Sequence, residues 1–476
     1  MKVLLLQPRY TYEPDVPLVV QMPIGICYLA AVARDRGHDV AILDCLAEGY
    51  RQKRPDGDRV TYGLTDPQIA RRLKALEPEV VGISCLFSIQ YPNAEALARL
   101  VKAVLPGAIV VFGGIHATIR PEQVLSSPAV DYVLRGEADH TFTELLDALE
   151  GGRDVREIEG IGYIDDSGEA VIAPKTAYIQ DLDTIPFPAR DLLDIQAYWR
   201  AGLVHKFNLR GRRNFNIVTS RGCPAPCTFC TISQVWGKQF RARSPENVVA
   251  ELVHLKKDYN ANHVQFEDDN LTFDVPRAKV LFRQMIDAKL DLKWNTPNGV
   301  AAWRMDEECL DLMLEAGCYF LIFAVESGNQ EVLTEVIKKP QRLDDVTALI
   351  RYARRIGLKV GAFFVVGFPG ETRDQIPQSF DYPHRVHLDW VEYAIATPYW
   401  GTALRDEALE GGHLAEDHGD DHYARRGSIS TEDFTYQWLE QKVVDENRRY
   451  LKHMALHQPI AFASQGWEAF KSNPSF

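Results

Sequence analysis

Short apolar runs alternate with amphipathic helical stretches along most of this chain, and they do so in two separate series. In the first, residues 3–6, 39–43, 80–84, 109–112 and 131–134 have the length and the Val, Ile and Leu content of buried strands. Helical periodicity occupies 24–36, 67–76, 94–104 and 142–149. Strands that are apolar on both faces and joined by helices belong in a parallel sheet covered on both sides. A doubly wound, Rossmann-like or flavodoxin-like α/β domain is therefore expected over 1–150, with its ligand in the crevice beyond the strand C-termini.

The second series begins near residue 214, with strands expected at 215–219, 264–267, 292–295, 320–325, 360–366 and 391–397. Helices are expected at 245–258, 276–289, 307–315, 343–356 and about 374–386. Six parallel βα repeats exceed a small sheet and point to a partial (β/α)6 TIM-like barrel over 211–405, with its chemistry at the C-terminal rim. Residues 151–210 break the rhythm: Tyr-Ile-Asp-Asp-Ser-Gly at 163–168 reads as a hairpin turn and Ile-Pro-Phe-Pro at 185–188 as an extended connector, so a linker is expected. A mainly helical C-terminal extension, irregular before a helix over 438–457, is expected for 406–476.

No apolar run reaches the length of a bilayer span, and the opening Met-Lys-Val-Leu-Leu-Leu meets Pro8 and Arg9 too soon for a signal peptide. The expectation is a cytoplasmic protein with no membrane span. A formal net charge of −13 argues against a non-specific nucleic-acid binder, since phosphate contact needs clustered Lys and Arg.

Five of the eight cysteines (Cys27, Cys45, Cys85, Cys309 and Cys318) are scattered in apolar segments and read as core residues. The other three fall in Thr-Ser-Arg-Gly-Cys-Pro-Ala-Pro-Cys-Thr-Phe-Cys at 219–230, just after the first strand of the second series. Cys223, Cys227 and Cys230 on one loop can reach three corners of a cubane cluster, and soft thiolates select either Fe–S clusters or zinc. A closed zinc site wants four ligands, commonly two spaced pairs, and no second cysteine pair follows.

This loop, with Phe229 before its last cysteine, resembles that of the radical S-adenosylmethionine (SAM) superfamily. The resemblance implies that the three cysteines hold a [4Fe–4S] cluster with one iron left open for the amino and carboxylate groups of SAM. One electron then splits the sulfonium to methionine and a 5′-deoxyadenosyl radical. Four more strand ends resemble the family in order: Phe-Glu-Asp-Asp-Asn at 266–270, Val-Glu-Ser-Gly at 325–328, Val-Val-Gly-Phe-Pro-Gly-Glu at 365–371 and Thr-Pro-Tyr-Trp-Gly-Thr at 397–402. By that resemblance Phe229, Asp268, Asp269, Arg243, Glu326, Ser327, Val365, Gly367 and Pro398 are SAM contacts. Alternative roles stand beside these: helix capping at Asn270 or Asp274, and for Arg243 a solvent-facing basic stretch capped by Ser244 rather than a charge-assisted bond to a carboxylate.

In the first series, small residues at strand ends let a bulky ligand approach the backbone. Coupled to the second series, they resemble the cobalamin-binding domain of a branch of the same superfamily. The resemblance implies that Ser84, Gly113, Gly114 and His116 line the nucleotide tail. Pro23, Gly25, Gly136 and Glu137 are further contacts, and the loops at 8–12 and 23–25 face the corrin. The Asp-x-His-x-x-Gly of histidine-ligating cobalamin proteins is absent. His116 is therefore read as a tail contact or a core histidine, with the lower face of cobalt water-bound or open.

Together the two halves resemble the class B radical SAM methyltransferases. The implied reaction methylates an unactivated carbon of a small molecule (a natural product, lipid or tetrapyrrole) through a 5′-deoxyadenosyl radical and methylcobalamin. An electron donor such as flavodoxin or ferredoxin is the implied partner. The alternatives are a cobalamin-dependent cyclase, oxidoreductase or rearrangement enzyme, and a non-catalytic cobalamin sensor. Aromatics at 294, 399, 400, 434, 436 and 438 could line a substrate pocket or pack in the core, and 413–422 is either a lid or a solvated loop.

Overall fold

The structure, a computed structural model, describes residues 1–14, 16, 18–205, 207–209, 212–415 and 426–457. It divides into two compact units, one of Met1–Arg212 with Gln234–Gly237 and the other of the remaining chain from Arg213 onward.

The first unit is built on β1 (Lys2–Gln7), β2 (Asp39–Asp44), β3 (Val80–Ser84), β4 (Ile109–Gly113), β5 (Tyr132–Leu134), β6 (Ile161–Ile164) and β7 (Ala170–Ile172). Their order across the sheet is β7-β6-β5-β4-β3-β1-β2. The first five strands are parallel. The chain leaves β1 to one side and returns to the other, so the sheet is doubly wound and its order reverses between β1 and β3. The uniform apolarity of β1 has a direct cause. Leu4 and Leu6 enter one core with Leu73, Leu97 and Val101, while Val3 and Leu5 enter a second with Ala30, Phe142 and Leu145. Helices on both faces leave no side of the strand for polar residues.

Two segments depart from expectation. Residues 151–210, read as a linker, contain the antiparallel pair β6–β7, which extends the sheet from β5. Its turn is held by Asp165, which accepts from the Ser167 and Glu169 amides. The turn was legible, but the half-exposed face of β7 dilutes its apolar signal. Residues 8–12, read as a loop, include Tyr10–Tyr12, which pairs with Arg59–Tyr62, itself paired with Lys53–Asp56. Strands this short and this charged carry no period to read.

Asp44 at the end of β2 ties the 151–210 segment to the sheet. It caps the next helix by accepting from Ala47 N at 2.9 Å and accepts from Tyr198 Oη at 2.7 Å. Burial pushes its carboxyl up to about 6. A carboxyl with a raised folded pKa holds its proton in the folded chain while the unfolded chain has lost it, so its contribution to stability falls as pH rises from about 4 to about 6. Denaturant melts across that window are expected to show wild type losing about 2–3 kcal/mol relative to Asp44→Asn. Parallel profiles for the two proteins would refute the assignment.

The second unit holds β8 (Asn214–Ile217), β9 (His263–Phe266), β10 (Lys293–Asn295), β11 (Cys318–Glu326), β12 (Lys359–Val366) and β13 (Trp390–Ile395). All are parallel and lie in strict chain order. Among the described residues no pairing closes β8 onto β13, so this is an open (β/α)6 barrel with its helices at Pro245–Tyr259, Val275–Asp287, Glu307–Glu315, Leu343–Arg355 and Ile376–Val386. Trp294 is fully buried against Phe266 and Phe282, and Phe434 is buried too, so both belong to the core rather than to a pocket wall. Helices follow at Ala403–Glu410 and Tyr436–His457. Of the acidic stretch at 413–422 only 413–415 lie among the described residues. Among those residues no helix is long and apolar enough to cross a membrane.

Candidate active site

Sequential parallel strands bring all six C-terminal ends to one rim, and the cysteine loop rises from the first. Its start is pinned to the neighbouring strand end: Asp268 accepts from Thr219 N at 3.0 Å, Thr219 Oγ1 at 2.7 Å and Ser220 Oγ at 2.6 Å. Ser220–Arg221 then pairs antiparallel with Arg241–Ala242, closing the loop at its base. Gly222 turns the chain inward at φ +83°, a conformation that favours glycine. Midway, Thr228 donates from N to Ile337 O at 3.0 Å and from Oγ1 to Val336 O at 3.1 Å, while its own carbonyl accepts from Leu404 N. Phe229 packs on Phe368, ring centroids 5.8 Å apart. The loop is thus fixed at base and middle by groups other than the thiols.

The three loop cysteines are half-buried, whereas the five scattered ones are fully buried, as a core role predicts. Burial pushes Cys230 up to about 12 and Cys227 up to about 11, and raises Cys223 as well. Such thiols become thiolates when a metal supplies the compensating charge. A single zinc ion would draw all its ligands to about 2.3 Å of one point. Among the described residues no three His, Cys, Asp or Glu side chains converge in that way. A cubane spreads its thiolates over different irons, so the donor set suits a cluster better than one ion. The Asn270 side chain lies beside Cys223 and favours its thiolate, and its Oδ1 is buried with no hydrogen-bond partner among the described residues.

The expected SAM contacts divide in two. Asp269 keeps a carboxylate that no described residue hydrogen-bonds, and burial, then the charge of Asp268, pushes it up to about 7. Val365 is half-buried beside Ala394, Phe229 sits within the loop, and Gly367 takes φ +89° with Leu439 packed against its missing side chain. The other side chains are committed elsewhere. Asp268 is spent on Thr219 and Ser220, as above. Arg243 is buried in an ion pair with Glu251 and donates to Asn247 Oδ1 at 2.7 Å and Val218 O at 3.1 Å, so it is neither a free carboxylate clamp nor a solvent-facing residue. Ser244 does cap the following helix. Ser327 is fully buried, with its Oγ accepting from Asn329 N and 3.3 Å from Ser379 Oγ. Pro398 is buried just ahead of Thr402, which caps the helix Ala403–Glu410. Glu326, at φ +67°, pairs with Lys339 at 2.9 Å. Sequence reasoning missed Lys339 and the contact of Asn270 with Cys223. Nothing in Lys-Lys at 338–339 marks the second lysine as buried and the first as exposed.

In the first unit, Ser84 and Gly113 end the adjacent strands β3 and β4, half-buried and paired in register beside the switch point. Pro23 and Gly25 sit at the start of the helix Ile24–Asp35, where a side chain on Gly25 would meet open space. Four other expected cobalamin contacts are held in the chain's own packing. A Cβ at Gly114 would lie 2.6 Å from Cys85 O, and one at Gly136 3.1 Å from Val235 O. His116 is fully buried, stacked on Tyr91 at 4.5 Å and 2.9 Å from Ser88 Oγ. Glu137 is buried and accepts from Ile179 N at 2.7 Å. Beyond Ser84 the loop presents Leu86 and Phe87, 41% and 38% exposed, an apolar edge that the sequence pattern did not single out.

Comparison with known proteins bears on both units. Residues 18–146 match the B12 binding domain model, and residues 217–382 match the radical SAM superfamily model. The chain is 38% identical over 443 residues to cytidylyl-2-hydroxyethylphosphonate methyltransferase of Streptomyces wedmorensis, covering 87% of this chain and 82% of that one. It is 26% identical to anaerobic magnesium-protoporphyrin IX monomethyl ester cyclase of Rubrivivax gelatinosus, covering 84% and 68%. The fold is similar to that of the radical SAM methyltransferase TsrM from Kitasatospora setae, solved with cobalamin and a [4Fe–4S] cluster. The TM-score is 0.68 at 19% identity, over 87% of this chain and 76% of that one.

Proposed function

The chain belongs to the B12-binding radical S-adenosylmethionine enzymes, and from that premise we propose that it methylates an unactivated carbon of a small-molecule substrate. Its cofactors are a [4Fe–4S] cluster, SAM and cobalamin. The observation that carries the reading is the 38% identity, over most of both chains, to an enzyme named as a methyltransferase, against 26% for the cyclase. When bound, the cofactors supply an electron, a radical able to take hydrogen from carbon, and a transferable methyl group.

The residues provide placement. We assign the cluster to Cys223, Cys227 and Cys230, whose loop is held rigid by Asp268, Thr228 and Phe229. Asp269 is positioned to hold the amino group of SAM, because a cation beside it offsets both its burial and the charge of Asp268. Val365 is assigned to the adenine side of the rim, and Gly367 to the turn beside it, where Leu439 packs in the place of a side chain. Asp268, Arg243 and Ser327 act one step back, each holding the backbone of a strand-end loop. Ser84, Gly113, Pro23 and Gly25 form the cobalamin-facing edge of the first module, assigned to residues 1–150, and the radical module is assigned to 211–405. A cytoplasmic setting with a flavodoxin or ferredoxin as electron donor completes the reading.

The test is to supply anaerobically reduced enzyme with methyl-labelled SAM and candidate small molecules. Label in the product, with a mass gain of one CH₂, is the expected result. Formation of 5′-deoxyadenosine with product of altered unsaturation and no label would favour the cyclase alternative. No turnover of SAM at all would favour a sensor.

A further inference from the structure

Lys339 is a buried ammonium at the rim of the barrel, 5% exposed, and its place is dictated by backbone. After β11 the chain makes the short helical turn Val332–Val336, whose end accepts both hydrogen bonds from Thr228 in the cysteine loop. Two residues past Ile337, the Lys339 side chain reaches back to the end of β11. There Nζ donates to Ala324 O at 2.6 Å and to Glu326 Oε1 at 2.9 Å. An ammonium has three N–H donors, and among the described residues the third is unassigned. Gln341 locks the same segment by donating to Val325 O at 3.2 Å. Thr228 is the residue after Cys227, so its hydrogen bonds to Val336 O and Ile337 O hold the segment that carries Lys339 against the cysteine loop.

We propose that Lys339 is the fixed cation that sets the reduction potential of the iron–sulfur cluster, with Glu326 holding its ammonium in place. The proposal rests on the assignment of the cluster to Cys223, Cys227 and Cys230. The physical reason is electrostatic. Reduction adds one electron to the cluster from a low-potential donor, with no bond made and no proton moved. A cation held nearby in a medium of low dielectric stabilises the more negative state. Burial costs the ammonium hydration, and the carboxylate of Glu326 with the carbonyl of Ala324 offsets that cost. Glu326 is thereby a positioning residue whose own negative charge works in the opposite direction.

The experiment uses the full chain, reconstituted anaerobically with iron and sulfide and titrated against potential by EPR without SAM, so that cofactor binding does not enter. Iron and sulfide content and cluster absorbance are recorded first for every protein. Lys339→Met is expected to make one-electron reduction at least about tenfold less favourable, a midpoint lower by ~59 mV. Lys339→Arg keeps the charge and is expected to stay near wild type, while Glu326→Gln is expected to move the midpoint upward. Unchanged midpoints in Lys339→Met and Glu326→Gln, with cluster content intact, would overturn the proposal, as would shifts of the same sign in both. Should Lys339→Met fail to assemble a cluster, the upward shift in Glu326→Gln and the return to wild type in Lys339→Arg still decide it. A wild-type protein that assembles no cluster overturns the cysteine assignment itself, an outcome separate from altered potentials in loaded protein.

Discussion

Replacing Cys223, Cys227 or Cys230 singly with alanine is expected to abolish cluster assembly and to lower 5′-deoxyadenosine formation to background, while Cys85→Ala or Cys309→Ala leaves the cluster in place. The contrast follows from exposure and position. Only the three loop thiols are half-buried, and the other five are buried among core residues. A cubane already short of one protein ligand has no reserve when a second is lost. Changes to groups that merely orient metal ligands commonly cost 10–100-fold, so loss of a ligand should exceed ~100-fold. The loop itself should survive, because its anchors are Thr228, Asp268 and the short antiparallel pair at its base. Iron and sulfide analysis, absorbance and product assay check the prediction together. A Cys227→Ala protein that retains full iron and activity would dismantle the site described here.

The second large effect concerns stability. Arg243→Ala is expected to destabilise the second unit by about 3–5 kcal/mol, because it breaks an ion pair of Glu251, a residue with no solvent exposure. The guanidinium also ties Val218 O to Asn247, so its loss loosens the junction where the cysteine loop leaves β8. Removing both charges in Arg243→Met/Glu251→Leu should recover most of the loss, since a buried pair exchanged for apolar side chains is often neutral. Denaturant melts of the three proteins measure this directly. If Arg243 were instead a ligand for the carboxylate of SAM, the single variant would keep its stability and lose affinity for SAM.

These two predictions mark different depths of reading. The cysteine triad is a local fact of spacing, as are the eleven parallel strands, each visible as an apolar run bounded by turn residues. The same local rules placed Asp269, Ser84 and Gly113 at strand ends, where all three are half-buried. They could not separate Asp268 from Asp269, adjacent residues of one type. One side chain turns back to the end of β8, and the other is left without a hydrogen-bond donor. Nor could they tell that a side chain at Gly114 or Gly136 would meet neighbouring backbone, or that His116 and Glu137 hold hydrogen bonds to Ser88 and Ile179 inside the first unit.

The sequence by itself determined the two βα series, the parallel order they impose and the loop that carries three thiols, because periodicity and spacing are properties of neighbours along the chain. Only the tertiary structure decided which charged and polar side chains are committed, since hydrogen bonds such as Thr219–Asp268 and ion pairs such as Arg243–Glu251 and Glu326–Lys339 join residues that become neighbours only on folding. A buried charge must find its partner wherever the fold brings one, and no local pattern records that choice.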